Sequence, residues 1–215
     1  MISNSMRMSD RRGDHLNNDI KVSSRLKIGT TGHRDVEVTV GLSSSLEKAI
    51  KGLIKDHPSR EIIVLSPLAE GADRIIYHTI MKVRKNASLH ALLPLEVKEY
   101  TKDFKTVPSK EEFLELLEQS YKIDIITTRK NTLKGEMIDR YEYDPGDLRE
   151  ISYEACGHLM VDMCDVLIAI WDGKKARGKG GTGEVVGHAR KKGTPIIWIH
   201  SNDHQEVRYE NFQGK

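Results

Sequence analysis

Six short apolar runs, at Leu26–Ile28, Ile62–Leu65, Leu89–Leu93, Ile123–Ile126, Val166–Trp171 and Ile196–Ile199, alternate with stretches whose apolar residues fall at helical spacing. Runs of that length suit strands buried on both faces. Leu42, Leu46, Ala49, Ile50 and Leu53 mark one helix, and Ile75, Ile76, Thr79, Ile80 and Val83 a second. Ile151, Ala155, Leu159 and Met163 mark a later one. Phe113, Leu116, Leu117 and Tyr121 mark another, preceded by a short helix through Tyr100 and Phe104. Strands alternating with helices predict an α/β protein: a doubly wound, mostly parallel sheet of about six strands with helices on both faces.

At 215 residues the chain suffices for one such domain and is too short for two of ordinary size. Residues 25–200 carry the pattern. Residues 1–24 are polar and without period, which predicts a mobile tail, and residues 201–215 predict a polar C-terminal tail. Residues 127–150 are charged and turn-rich around Asp144, Pro145, Gly146 and Asp147. They read either as a flap over a site or as a surface excursion.

Lys and Arg number 34 against 32 for Asp and Glu. That near balance provides no basic field, so extended nucleic acid is not an expected partner. No apolar stretch reaches signal-peptide or membrane-spanning length, which predicts no membrane span and a cytoplasmic protein. The only two cysteines, Cys156 and Cys164, fall in one predicted helix. Eight residues of helical rise separate them by roughly 12 Å, too far to bridge, so two reduced thiols are expected. No group of His, Cys or carboxylate residues has metal-ligand spacing; His200 and His204 are four apart but fall in the polar tail. No motif demands a cofactor.

In a doubly wound sheet the loops after the strands gather at the carboxyl edge, where ligands bind near the topological switch point. Three loops carry residues suited to a phosphate-bearing ligand. The first, Gly29-Thr30-Thr31-Gly32-His33-Arg34-Asp35, combines two glycines, two hydroxyls and a cation. Arg34 can fork onto phosphate oxygens or pair with Asp35 on the surface. His33 can carry a proton or fix the loop.

The second loop holds Glu70, Gly71, Ala72 and Asp73. Gly71 permits close approach of backbone to ligand, and Asp73 either complements the following helix dipole or holds a ribose diol. The third follows Trp171, with Asp172 and Gly173, then Gly180, Gly181, Thr182, Gly183 and Glu184. Thr182 is placed to N-cap a helix starting near Gly183, whose free N–H groups attract anions. Asp172 suits ribose hydroxyls or turn capping, and Glu184 suits the first helical turn.

Two or three charge-assisted bonds at about 1.5–3 kcal/mol each reach the roughly 8 kcal/mol of micromolar binding only at the top of their range. Arg149 and Tyr153, four apart on one helix face, are candidates for the remainder, one meeting a second phosphate and the other stacking on a base.

Taken together, TTGHRD, SPLAEGADR, ALLPLEVKEYTKDF, FLELL and LIAIWDGKKARGKGGTGEVVGHARKKGTP resemble the SLOG superfamily of Rossmann-like domains over residues 26–199. The resemblance implies a domain that binds a nucleotide or nucleotide-derived messenger as sensor or signalling module, and that self-associates. The superfamily also includes the cytokinin-activating phosphoribohydrolases and the DNA-processing protein A domain. The alternative it implies is an N-glycosidic hydrolase or transferase, with Glu184 or Asp172 as catalytic carboxylate. The enzymes place their Glu three residues beyond the loop Thr. Here Glu184 lies two beyond Thr182 and Val185 takes the third place, a turn of about 100° around the helix. Nucleoside deoxyribosyltransferases carry a DG and GT pattern similar to Asp172, Gly173, Gly181 and Thr182.

Overall fold

A computed structural model describes residues 24–126, 145–175, 180–204 and 206–212. The expected N-terminal tail up to residue 23 and residues 127–144 of the expected flap lie outside them. The elements in chain order are β1 (Arg25–Gly32), α1 (Val40–Lys55), β2 (Glu61–Ser66), α2 (Ala72–Val83), β3 (Ser88–Leu93) and the short α3 (Val97–Tyr100). There follow α4 (Val107–Gln119), β4 (Lys122–Ile125), α5 (Pro145–Met163), β5 (Val166–Trp171), α6 (Thr182–Lys192), β6 (Ile196–His200) and β7 (Val207–Glu210).

The sheet order is β4-β3-β2-β1-β5-β6-β7. All neighbours are parallel except β6 and β7. The chain winds outward from β1 to β4, then returns to β1's other side with β5. The switch point of this Rossmann-like fold therefore lies between β1 and β5.

Side-chain alternation explains the two layers of core. Leu26, Ile28, Val64, Ile168 and Ile170 face α1, α2 and α4, whereas Ile63, Leu65, Leu167, Ala169 and Trp171 face α5 and α6. Each fully buried aliphatic side chain contributes roughly 1.5–3 kcal/mol. The α1 spacing holds, with Leu42, Leu46, Ala49, Ile50 and Leu53 buried and Thr39 as N-cap accepting from the Leu42 amide.

Five expectations need correction. β1 continues four residues past Ile28, because Gly29 pairs with both β2 and β5 and Thr30 to Gly32 pair with β5, so Gly29 to Gly32 are strand rather than loop. The expected polar C-terminal tail contains a seventh strand, β7, which covers the edge of β6. Pro145, in the turn-like run, opens α5, since a proline fits the first helical turn where no intrahelical N–H bond is needed. Finally, α5 buries Ser152, Cys156 and Met160, one position along from the expected face, and leaves Ile151 43 % exposed. Tyr121 lies beyond the end of α4, its amide donating to Leu89 O.

Candidate functional site

The three loops meet. His33, the first residue beyond β1, donates its amide to Ile170 O of β5 and accepts at its own carbonyl from the Ala72 amide of α2, both at 3.0 Å. Gly71 makes the second contact possible. Its φ is +77°, and a Cβ there would come within 2.1 Å of Arg34 O. Across the switch point, His33 Nε2 lies 3.0 Å from Asp172 Oδ1. Where the sequence offers no partner for His33, the fold supplies Asp172.

Between these loops opens a cavity of about 530 Å3. From the expected set it is lined by Thr31, Gly32, His33, Arg34 and Asp73 on one side, and by Trp171, Asp172 and Gly180 to Gly183 on the other. Tyr153 lines it from α5. The walls also carry Lys174, Lys175, Asp35 and the aromatic side chain of Tyr100.

The glycine-rich loop differs from expectation in its capping. Gly181, not Thr182, is the N-cap of α6, and Thr182 is the first helical residue. Glu184 Oε2 accepts from the Gly180 amide at 2.6 Å, so its carboxylate closes the loop instead of facing the cavity. Gly180 itself, at φ +74°, packs against α5, where a Cβ would sit 2.6 Å from Tyr153 Cβ and from the Glu154 amide nitrogen. Among the described residues no acceptor takes the amides of Gly181, Thr182 or Gly183. These three N–H groups are the orphan donors of a helix N-terminus.

Asp172 is nearly buried and accepts from the Lys174 amide at 3.1 Å and from its ammonium at 3.0 Å, besides facing His33. Burial opposes its charge, but these donors hold the carboxyl well below the usual carboxylate range. Asp73 behaves oppositely. Its Oδ2 accepts from the Ala69 amide at 3.2 Å, with Arg34 and Arg74 nearby, yet burial dominates and pushes the carboxyl up to about 7.

Arg34 lies over the Tyr153 ring, 5.6 Å from its centroid, and donates to Tyr153 Oη at 3.2 Å. Burial works against its charge, while Tyr100, Tyr153 and Asp103 keep its pKa raised. Asp103 gathers Tyr153 Oη and the Arg149 guanidinium, which also donates to Glu99 O at 3.0 Å. Arg149 therefore braces α5 against α3 and the residues following it and does not line the cavity, whereas Tyr153 packs against that segment and lines the cavity as well.

Six further expected ligand residues fall outside the cavity wall, each for a packing reason. Gly29 lies mid-strand beneath Cys164 and Leu167, and Thr30 is fully buried with its hydroxyl on Ser66 Oγ at 2.9 Å. Glu70 accepts from the Lys105 amide at 3.1 Å, and Gly71 and Ala72 join α2 to His33 and Arg34. Gly173 sits against the Trp198 ring. Both cysteines are free and buried, and Cys156 reaches the cavity wall with its thiol pKa pushed up by burial. Among the described residues no cluster of three His, Cys, Asp or Glu residues is placed to hold a metal ion, and no helix is long and apolar enough to cross a membrane.

Sequence reasoning missed Tyr100, Lys174 and Lys175. The signal for Tyr100 was its position after β3, whose loop reaches the same sheet edge. The lysines were legible as the first charges after Asp172. Compared with known families, the chain matches no family model, and no curated protein matches it.

Proposed function

We propose that the protein binds a nucleotide or nucleotide-derived small molecule in the cavity between the loops that follow β1 and β5, with a phosphate on the first turn of α6. One observation carries this reading. No acceptor among the described residues takes the amides of Gly181, Thr182 and Gly183, and these residues line the same cavity as Arg34, Lys174 and Lys175. A helix N-terminus flanked by cations favours a compact oxyanion over a neutral ligand. The same loops bear the resemblance to the SLOG superfamily, and we extend the proposal to membership in it, to self-association and to a cytoplasmic location.

Binding without bond cleavage is the better-supported version. Both carboxylates nominated for N-glycosidic chemistry have protein partners, Glu184 on Gly180 and Asp172 on Lys174 and His33. A nucleophile or acid at either position would first have to give up those bonds.

Calorimetric titration with adenine and guanine nucleotides, cyclic dinucleotides and ADP-ribose tests the proposal. Saturable heats with micromolar affinity for at least one of them are expected; flat heats throughout would overturn it. Sedimentation of the free protein tests self-association, and a monomeric mass at all concentrations contradicts that part.

A further inference from the structure

The Tyr100 side chain is fully buried, and its hydroxyl has no hydrogen-bond partner among the described residues. Its ring is wedged edge-on between Phe104 and Phe113, with centroids at 5.1 and 5.5 Å, and tilted against Tyr153 at 6.0 Å. The groups that act electrostatically on the hydroxyl are Tyr153, Arg34, Asp73 and Cys156. All four line the cavity, as does Tyr100 itself. Burying a hydroxyl without a partner is costly, and phenylalanine would fill the same aromatic niche without that cost.

We propose that Tyr100 and Asp73 form the second pole of the site, Tyr100 donating to a sugar hydroxyl of the ligand while the Asp73 carboxylate accepts from that hydroxyl or its neighbour. This deepens the nucleotide reading above and rests on it. A hydroxyl both accepts and donates, so one such group satisfies the phenol and the carboxylate together. A phosphate only accepts, so it could satisfy the phenol but not an ionised Asp73 carboxylate, beside which it would meet like charge. The ligand is thereby oriented, its phosphate toward Gly181–Gly183 and its diol toward Tyr100. Tyr100 is a specificity-determining residue in a segment that none of the three glycine-bearing loops supplies.

The test is calorimetric titration of wild type and Tyr100→Phe with adenosine and guanosine 5′-monophosphates and their 2′-deoxy and 3′-deoxy counterparts, together with the thermal midpoint of each ligand-free protein. Wild type is expected to prefer a ribonucleotide over at least one deoxy counterpart by about tenfold. Tyr100→Phe is expected to weaken the ribonucleotide by about the same factor and to erase the preference. Its ligand-free midpoint is expected to equal or exceed that of wild type, because an unpartnered buried hydroxyl has been removed. Unchanged affinities and an unchanged preference in Tyr100→Phe overturn the inference and leave the nucleotide reading intact. A lowered midpoint without change in binding assigns the hydroxyl to folding and likewise overturns it. If no member of the set binds wild type, both readings fall for these nucleotides together.

Discussion

His33 Nε2 lies 3.0 Å from Asp172 Oδ1 and 3.3 Å from the Asp172 amide nitrogen. One residue follows β1 and the other follows β5, so the pair ties together the loops that leave these two adjacent strands at the switch point. A protonated Nε2 donates to the carboxylate, and an unprotonated one accepts from the amide. Either state keeps the two loops together.

The depressed Asp172 pKa fixes the sign of an acid effect. A carboxyl held below its unfolded value near about 3.9 adds stability above that pH and loses it as the pH falls toward the folded value. Asp172→Asn is expected to lower the urea midpoint at pH 7, with the gap from wild type narrowing toward pH 3. Equal gaps at both pH values would contradict this.

Asp73 runs the other way. Its folded pKa of about 7 exceeds the unfolded value, so the protonated fold is favoured. Its contribution is greatest below about pH 4 and declines as the pH rises to about 7. Asp73→Asn removes this slope. Denaturation at pH 5 and pH 8 checks it: wild type should lose more stability than the variant across that interval, and parallel losses would refute the assignment.

Gly71 holds two of the three loops at contact distance. In Gly71→Ala the new methyl would stand 2.1 Å from Arg34 O on a backbone with φ +77°. The expected loss is about 3 kcal/mol, measured by urea denaturation. A loss under about 0.5 kcal/mol would mean that the loops separate freely.

Glu184→Gln separates binding from catalysis. The amide oxygen can still accept from Gly180, while one negative charge leaves the first turn of α6. Adenosine 5′-monophosphate affinity is expected to hold or rise by about two- to fivefold. Loss of binding contradicts the loop-closing role, and free base released by wild type but not by Glu184→Gln, read by chromatography, would establish the enzymatic alternative.

The architecture was legible because strands buried on both faces leave runs such as VLIAIW, and helices such as α1 leave a repeating apolar stripe. Strand ends were less so. Thr30 and Gly32 look like loop residues, and only pairing with β5 makes them strand. The α5 face was misread because Ser152 and Cys156, small and weakly apolar, fit closest to the sheet while Ile151 is left outward. The site was legible in outline. Gly180–Thr182 and His33–Arg34 announce a turn and a cation, but whether Glu184 faces a ligand or a neighbouring amide is decided by one loop's curvature. Arg149 and Tyr153 share a helix face, yet Asp103, fifty positions from Tyr153, determines what each does.

The most direct measurement follows the backbone amides of Gly181, Thr182 and Gly183 by 15N–1H NMR during titration with adenosine and guanosine 5′-monophosphates. Shifts concentrated at those three amides and at His33 and Arg34, saturating together, are expected. Saturable binding that leaves these amides unmoved and shifts residues elsewhere would show that the anion site is not at the first turn of α6.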